Sequence, residues 1–290
     1  MQFRELRQED LSTNAWTSPI ELRPDRWRDD HTRSAVAVDG RDVVAAGMIW
    51  TSRVHGDRYW VDIVVDPTRR REGIGTALFA HLSGLRKDDL AFMTRGYVDE
   101  ERLAFADALG ATTIQVVPPA VIDVAGRVAL RPYDAVVPGR EVPWSHLLEA
   151  NAATYEWIHA SWSPVAEGFA EALSEGLEDD LDLDATSVAV EASGRIRTVA
   201  MAYNDVVPPV ITAETVARDE PEGERLVEAC VRRALDVFAG RGVGEVEFDG
   251  HVSDPHFLPV WARLNPRGRW FRLVEIRPHP IAGSTRSPRE

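Results

Sequence analysis

Two tandem copies of one mixed α/β unit are predicted by three features of the 290-residue sequence. Residues 34–50 (SAVAVDGRDVVAAGMIW) and 187–203 (SVAVEASGRIRTVAMAY) are matching pairs of short β-branched runs around a Gly-bearing turn, the pattern of a β-hairpin. Each pair leads into a further apolar run, then a glycine-bearing loop (Gly73, Gly223), then a stretch of helical period. The length suits two domains of roughly 150 residues better than one. Hairpins joined to strand–helix–strand crossovers give a mixed β-sheet with helices on its faces.

The elements follow in the same order twice. In the first half the hairpin turns at Asp39-Gly40-Arg41-Asp42, and residues 58–65 (RYWVDIVV) form the next strand. A helix over 75–86 follows, then a strand at 90–94 and a helix at 99–109. In the second half the hairpin turns at Ala192-Ser193-Gly194-Arg195, with a strand over 208–217 and a helix over 223–239. That helix carries Leu226, Val227, Cys230, Val231, Ala234, Leu235 and Phe238 at the spacing of a core-facing stripe. A strand at 243–249 and a helix at 256–264 close it, and each half ends in strand-like runs, 112–124 and 269–276. Leading helices are expected ahead of each hairpin, in the second half over 143–160 and 164–178, with Pro143 and Pro164 in first-turn positions. The expected division is 1–127, 128–277 and a frayed Pro/Ser/Gly-rich tail, 278–290.

Composition narrows the function. Hydrophobic residues make up 44% and charged residues 28%, enough to build a core and too balanced for wholesale disorder. The net charge of −14 argues against a general nucleic-acid or anionic-membrane binder, which needs a basic footprint. No apolar run has the length of a membrane span, and Met1-Gln2-Phe3-Arg4-Glu5 lacks the layout of a signal peptide, so a soluble, cytoplasmic protein is expected. Cys230 is the lone cysteine, leaving no internal disulfide and no Cys-clustered zinc site. His251 and His256 have no third ligand at a fitting spacing, and no metal is expected. Lys87 is the one lysine; a GC-rich coding sequence accounts for the arginine bias.

The stretch Asp66-Pro67-Thr68-Arg69-Arg70-Arg71-Glu72-Gly73-Ile74-Gly75-Thr76 has the makings of an anion site. It joins an apolar strand to a helix whose first N–H groups have no internal acceptors, with glycines permitting close approach and three arginines adding charge. A P-loop is excluded because Gly75-Thr76-Ala77 lacks the lysine, and a dinucleotide fingerprint because Leu78 stands where the third glycine belongs.

Arg70-Arg71-Glu72-Gly73-Ile74-Gly75 resembles the acyl-CoA loop of GNAT-type N-acetyltransferases, Arg/Gln-x-x-Gly-x-Gly/Ala. The preceding Asp62-Ile63-Val64-Val65-Asp66-Pro67 and the later Ala108-Leu109-Gly110-Ala111 are similar to that family's strand and helix end, and the element order matches over residues 1–125. The resemblance implies a splayed central sheet, with acetyl-CoA (coenzyme A) as cofactor. It places pantetheine along Ile63, Val64 and Val65, with an amide near Val64 as oxyanion donor. The pyrophosphate falls on the amides from Arg71 through Glu72, Gly73, Ile74 and Gly75 to Thr76, with Arg70 and Arg71 adding charge. Asp62 is the candidate base that takes the acceptor amine's proton. The family's acid tyrosine is absent, Ala106 standing in its place; Tyr97 is the substitute candidate, with a structural role open to it. Asp99 holds the position of a CoA-contacting Asn and equally suits the N-cap of helix 99–109.

The second copy reads Glu220-Pro221-Glu222-Gly223-Glu224-Arg225 in the corresponding loop, where carboxylates would face the phosphates and repel them. The two-domain plan is similar to tandem members of the mycothiol-synthase kind, in which one half often suffices. The second half is then a partner completing the cleft or a dimerisation surface, in a monomer or homodimer. The acidic run 175–182 could attract a cation or be a solvated face; Trp16, Trp27 and His31 lie where the family builds its acceptor pocket. The expected activity is acetyl transfer from acetyl-CoA to a primary amine of a small molecule, or of a protein, by direct attack in a ternary complex. The alternative is a non-catalytic acyl-CoA-binding sensor.

Overall fold

Gly40 adopts φ +65°, the left-handed conformation that a two-residue hairpin turn demands, and it brings Asp39 opposite Asp42 at the end of the ladder between β2 (Arg33–Asp39) and β3 (Asp42–Thr51). From this hairpin the first sheet grows outward in the computed structural model, which describes residues 1–11, 15–18 and 20–277. β1 (Gln2–Glu5) pairs antiparallel with β2, and β4 (Arg58–Val65) antiparallel with β3. After β4 come α2 (Ile74–Gly84), β5 (Ala91–Tyr97) parallel to β4, α3 (Glu101–Ala108) and β6 (Thr112–Val117). A short α1 (Gln8–Leu11) precedes β2.

The second sheet repeats the plan: β7 (Val121–Asp123), β8 (Val136–Pro138), α4 (Trp144–His159), α5 (Phe169–Ser174), α6 (Leu177–Asp180), β9 (Ser187–Val190), β10 (Ile196–Tyr203), β11 (Val210–Thr215), α7 (Gly223–Gly240), β12 (Glu245–Asp249) and α8 (Phe257–Arg263). Its order is β7-β12-β11-β10-β9-β8. The stripe read along 223–239 is the buried face of α7, packed with Ile211, Ala213, Val246, Phe248 and Phe257. Cys230 is in that core, where burial pushes its thiol up to about 12.

Several expectations are corrected. The run 269–276 does not close the second sheet. As β13 (Phe271–Ile276) it lies in the first, whose order is β1-β2-β3-β4-β5-β13-β6. Conversely β7 pairs antiparallel with β12 in the second sheet. The two compact units are therefore residues 1–113 with the segment from Leu273, and Ile114–Arg272, so the divide falls inside β6 rather than near 125–131. Alternating apolar residues specify a strand but not which sheet accepts its edge.

Among the described residues the first half has little leading helix: α1 is four residues long, and residues 25–31 form a turn before β2, the Asp25 carboxylate accepting from Ser34 N (2.8 Å) and Arg33 Nε (3.0 Å). Pro143 is the cap residue of α4, and Pro164 lies in the loop before α5, which starts only after left-handed Gly168. The tail 278–290 lies outside the described residues.

Candidate active site

The parallel ladder between β4 and β5 runs from Arg58↔Ala91 to Trp60↔Met93 and stops, although the strands continue to Val65 and Tyr97. Past that point the β4 edge is free to pair with an extended ligand. Period-two alternation divides the opening. Tyr59, Val61, Ile63 and Val65 pack with α2 and α3, while Val64 belongs to the opposite face, among Leu6, Ile20, Leu22 and Met48.

Beyond Val65, Asp66 turns the chain by accepting from Thr68 N (2.8 Å) and Thr68 Oγ1 (2.7 Å). Arg71 (φ +67°) and Gly73 (φ +79°) then take left-handed conformations, bringing the chain into α2 with Gly73 as its cap. The helical ladder begins with Ala77 N donating to Gly73 O, so the amides of Ile74, Gly75 and Thr76 precede any intrahelical acceptor. A Cβ on Gly73 would meet no atom within 4 Å; one on Gly75 would touch Val65 and Phe105 at ordinary contact distance. The glycine at 73 therefore serves the backbone turn and leaves open space above it.

That space is a cavity of about 500 Å³. Of the predicted cofactor residues, Ile63, Val64, Val65, Arg70, Arg71, Gly73, Ile74, Gly75 and Thr76 line it. Glu72 does not: its carboxylate is paired with Arg69 (3.0 Å), which also reaches Asp39 (3.1 Å). Asp99 neither lines the cavity nor caps the helix, because α3 starts at Glu101, two residues later than expected, with Glu100 as cap. Arg69, Glu101, Arg102, Phe105 and Ala108 line it as well. Arg70 pairs with Glu101, whereas Arg71 has no ion pair among the described residues. The group implied by the loop, a diphosphate on a long acyl-bearing arm, fits this donor set. The helix amides and Arg71 offer anion contacts, and the apolar flank of β4 gives the arm a channel.

Asp62 lies past the end of the ladder and is largely buried; its Oδ1 is 3.0 Å from Arg102 Nη1 on α3. Burial pushes its carboxyl above the usual range, and Arg102 and Arg95 pull it back down. Tyr97 ends β5 and is half-buried, its N–H donating to Glu100 Oε2 at 3.3 Å. It does not line the cavity, and neither does Asp62. Trp16 and Trp27 pack on the Val64 face. Trp27 meets Trp50 edge-on at 6.3 Å, and Trp50 stacks on Trp60 at 6.2 Å. His31 lies 3.2 Å from the Tyr59 hydroxyl and 3.3 Å from Asp88. Arg102 was not signalled by the sequence: only the placement of α3 brings it to Asp62.

The second unit's loop is closed by a different device from the one expected. Its carboxylates do not project unpaired at a ligand: Glu220 is buried against Arg197 (2.6 Å), Glu222 pairs with Arg225 (3.4 Å), and Glu224 pairs with Arg263. The space above Gly223 is taken by the His256 ring, which would lie 2.5 Å from a Cβ there. His256 Nδ1 is 3.1 Å from Thr215 Oγ1 and 3.3 Å from Asp254 Oδ1, contacts that hold the ring in place. Within the acidic run, Asp182 Oδ1 accepts from Asp184 N and Ala185 N and the carboxylate pairs with Arg241, a structural turn.

A splayed parallel pair opening beside a glycine-capped helix defines the candidate cleft of the first unit. Residues 1–95 match the acetyltransferase (GNAT) family. No curated protein matches the chain in sequence. Among solved structures, a GCN5-related N-acetyltransferase from Sphaerobacter thermophilus is 18% identical, over 89% of this chain and 84% of that one, with TM-score 0.59. A tandem GNAT protein from the clavulanic acid biosynthesis pathway is 19% identical over 96% and 99%, also at 0.59. The N-myristoyltransferase of Saccharomyces cerevisiae is 8% identical over 95% and 75%, at 0.51. Residues 1–95 thus carry the similarity to the GNAT acetyltransferase family, and the chain as a whole shares the fold of a tandem GNAT protein.

Proposed function

We propose that the protein transfers an acetyl group from acetyl-CoA to a primary amine of a small molecule, in a ternary complex, using the first unit alone. The observation that carries this reading is the coincidence of the end of the β4–β5 ladder, the 500 Å³ cavity and the capped start of α2 at one place. Acetyl-CoA supplies the acyl group as a thioester, whose C–S bond breaks as the new C–N bond forms. The amides of Ile74, Gly75 and Thr76 and the Arg71 guanidinium hold the diphosphate, and an amide near Val64 faces the carbonyl oxygen. Asp62 takes the proton from the attacking amine. Tyr97 lies apart from the cavity, so protonation of the departing thiolate falls to solvent.

The ion pair between Asp62 and Arg102, together with Ala106 at the family's tyrosine position, favours the second reading, a sensor that binds acyl-CoA without turnover. Acetyl-CoA-dependent thiol release across a panel of primary amines separates the two. Turnover on any amine supports transfer; calorimetric binding of coenzyme A without turnover supports the sensor. Among the described residues no helix is long and apolar enough to cross a membrane, in keeping with the proposed cytoplasmic setting.

A further inference from the structure

Resting on the transfer reading above, we infer that the acceptor is an amine that also carries a carboxylate, and that Arg95 is the residue that selects it. Asp62 and Arg95 are each two residues past the last paired positions of their strands, Trp60 and Met93. By register they face each other across the mouth of the splay, and alternation puts both on the face of Trp60. Arg95 is exposed and lies over the Trp60 ring, its guanidinium carbon 5.2 Å from the ring centre. Trp60 is in turn stacked on Trp50. A guanidinium held over an aromatic ring keeps N–H groups for a second partner, and its planar fork suits bidentate capture of a carboxylate.

Charge counting leads to the same chemistry. Asp62 is matched by Arg102 at 3.0 Å, and Arg95 adds a second cation for which no carboxylate partner stands within ion-pair distance among the described residues. A plain alkylamine, cationic before it loses its proton, meets a mouth bearing one surplus positive charge. A zwitterion whose amine turns to Asp62 and whose carboxylate turns to Arg95 satisfies both.

The test compares acceptors that differ only in the carboxylate, such as tryptophan with tryptamine and tyrosine with tyramine, at saturating acetyl-CoA. The acids are expected to be favoured by about tenfold or more in kcat/KM, through KM. In Arg95→Gln that ratio is expected to fall to about one, and Arg95→Lys to restore part of it. Equal or better use of the decarboxylated amines, or an unchanged ratio in Arg95→Gln, overturns the inference. Should no acceptor turn over, calorimetry on the coenzyme A-loaded protein decides. Acids binding about tenfold tighter than amines, with the difference lost in Arg95→Gln, would uphold this selection and defeat the transfer reading alone. Absence of that difference would defeat the selection.

Discussion

Replacing Gly73 by Asp separates the backbone role of that glycine from its role beside the ligand. A residue with a Cβ at φ +79° costs about 1–2 kcal/mol, and no steric term adds to it because the space around that Cβ is empty. Against the 5–15 kcal/mol typical of folded domains, this lowers Tm by several degrees without unfolding the protein. The effect on ligand is larger. Two phosphate charges about 5 Å from the new carboxylate, at an effective dielectric constant of about 40, raise the binding free energy by about 3 kcal/mol, roughly a hundredfold in Kd. Gly73→Asn is the matched control: asparagine tolerates the left-handed conformation and carries no charge, so its loss should be several-fold at most. Titration calorimetry with coenzyme A reads both variants. If Gly73→Asp binds as tightly as Gly73→Asn, the diphosphate does not sit at the start of α2 and the assignment of the loop is wrong. The corresponding change at Gly223 is a poor comparator, since any Cβ there collides with His256 and measures packing instead.

Three further expectations follow from the same geometry. If Asp62 is the base, the acidic limb of kcat/KM against pH lies above the ordinary carboxylate range; Arg102→Gln should move it higher still, since Arg102 is the leading group lowering that pKa, and for one amine compared across variants a limb indifferent to Arg102 would exclude Asp62. Asp254 is buried with Oδ2 unpartnered, and burial pushes its carboxyl up to about 7. Its folded form thus holds a proton that the unfolded chain releases near pH 4, so its contribution to stability is full below that pH and is lost as pH rises towards 7. Asp254→Asn should remove this loss, gaining on the order of 2–3 kcal/mol over the wild type in urea melts at pH 8, and no gain would refute the buried-acid account. Finally, a chain ended after Trp270 lacks the strand between β5 and β6 and should fail to bind coenzyme A, although every loop residue is present; full-strength binding would show β13 to be dispensable.

What the sequence revealed was local. The hairpin around Gly40, the span 58–65 and the loop from Arg69 to Thr76 are each specified by neighbours in the chain: a turn glycine, a two-residue alternation, a cap followed by helical period. What it concealed was set by distant partners. Arg102 reaches Asp62 from another element, His256 covers a glycine 33 positions earlier, and β13 enters a sheet whose other strands were complete by Val117. In the second copy's loop the sequence pointed to repelling carboxylates, whereas in the structure arginines neutralise them and the His256 ring occupies the space above Gly223.

The late arrival of β13 also fixes a timetable for biosynthesis. When β6 leaves the ribosome, about 150 residues remain to be made before the strand that separates it from β5 emerges, roughly ten to thirty seconds at ordinary translation rates. Throughout that interval the nascent domain carries two unsatisfied strand edges flanking a gap one strand wide, a state that invites pairing with the wrong chain. The unit that carries the Arg69–Thr76 loop thus matures only after β13 is made, and synthesis halted between β12 and β13 yields a product with all of that loop and none of its closure.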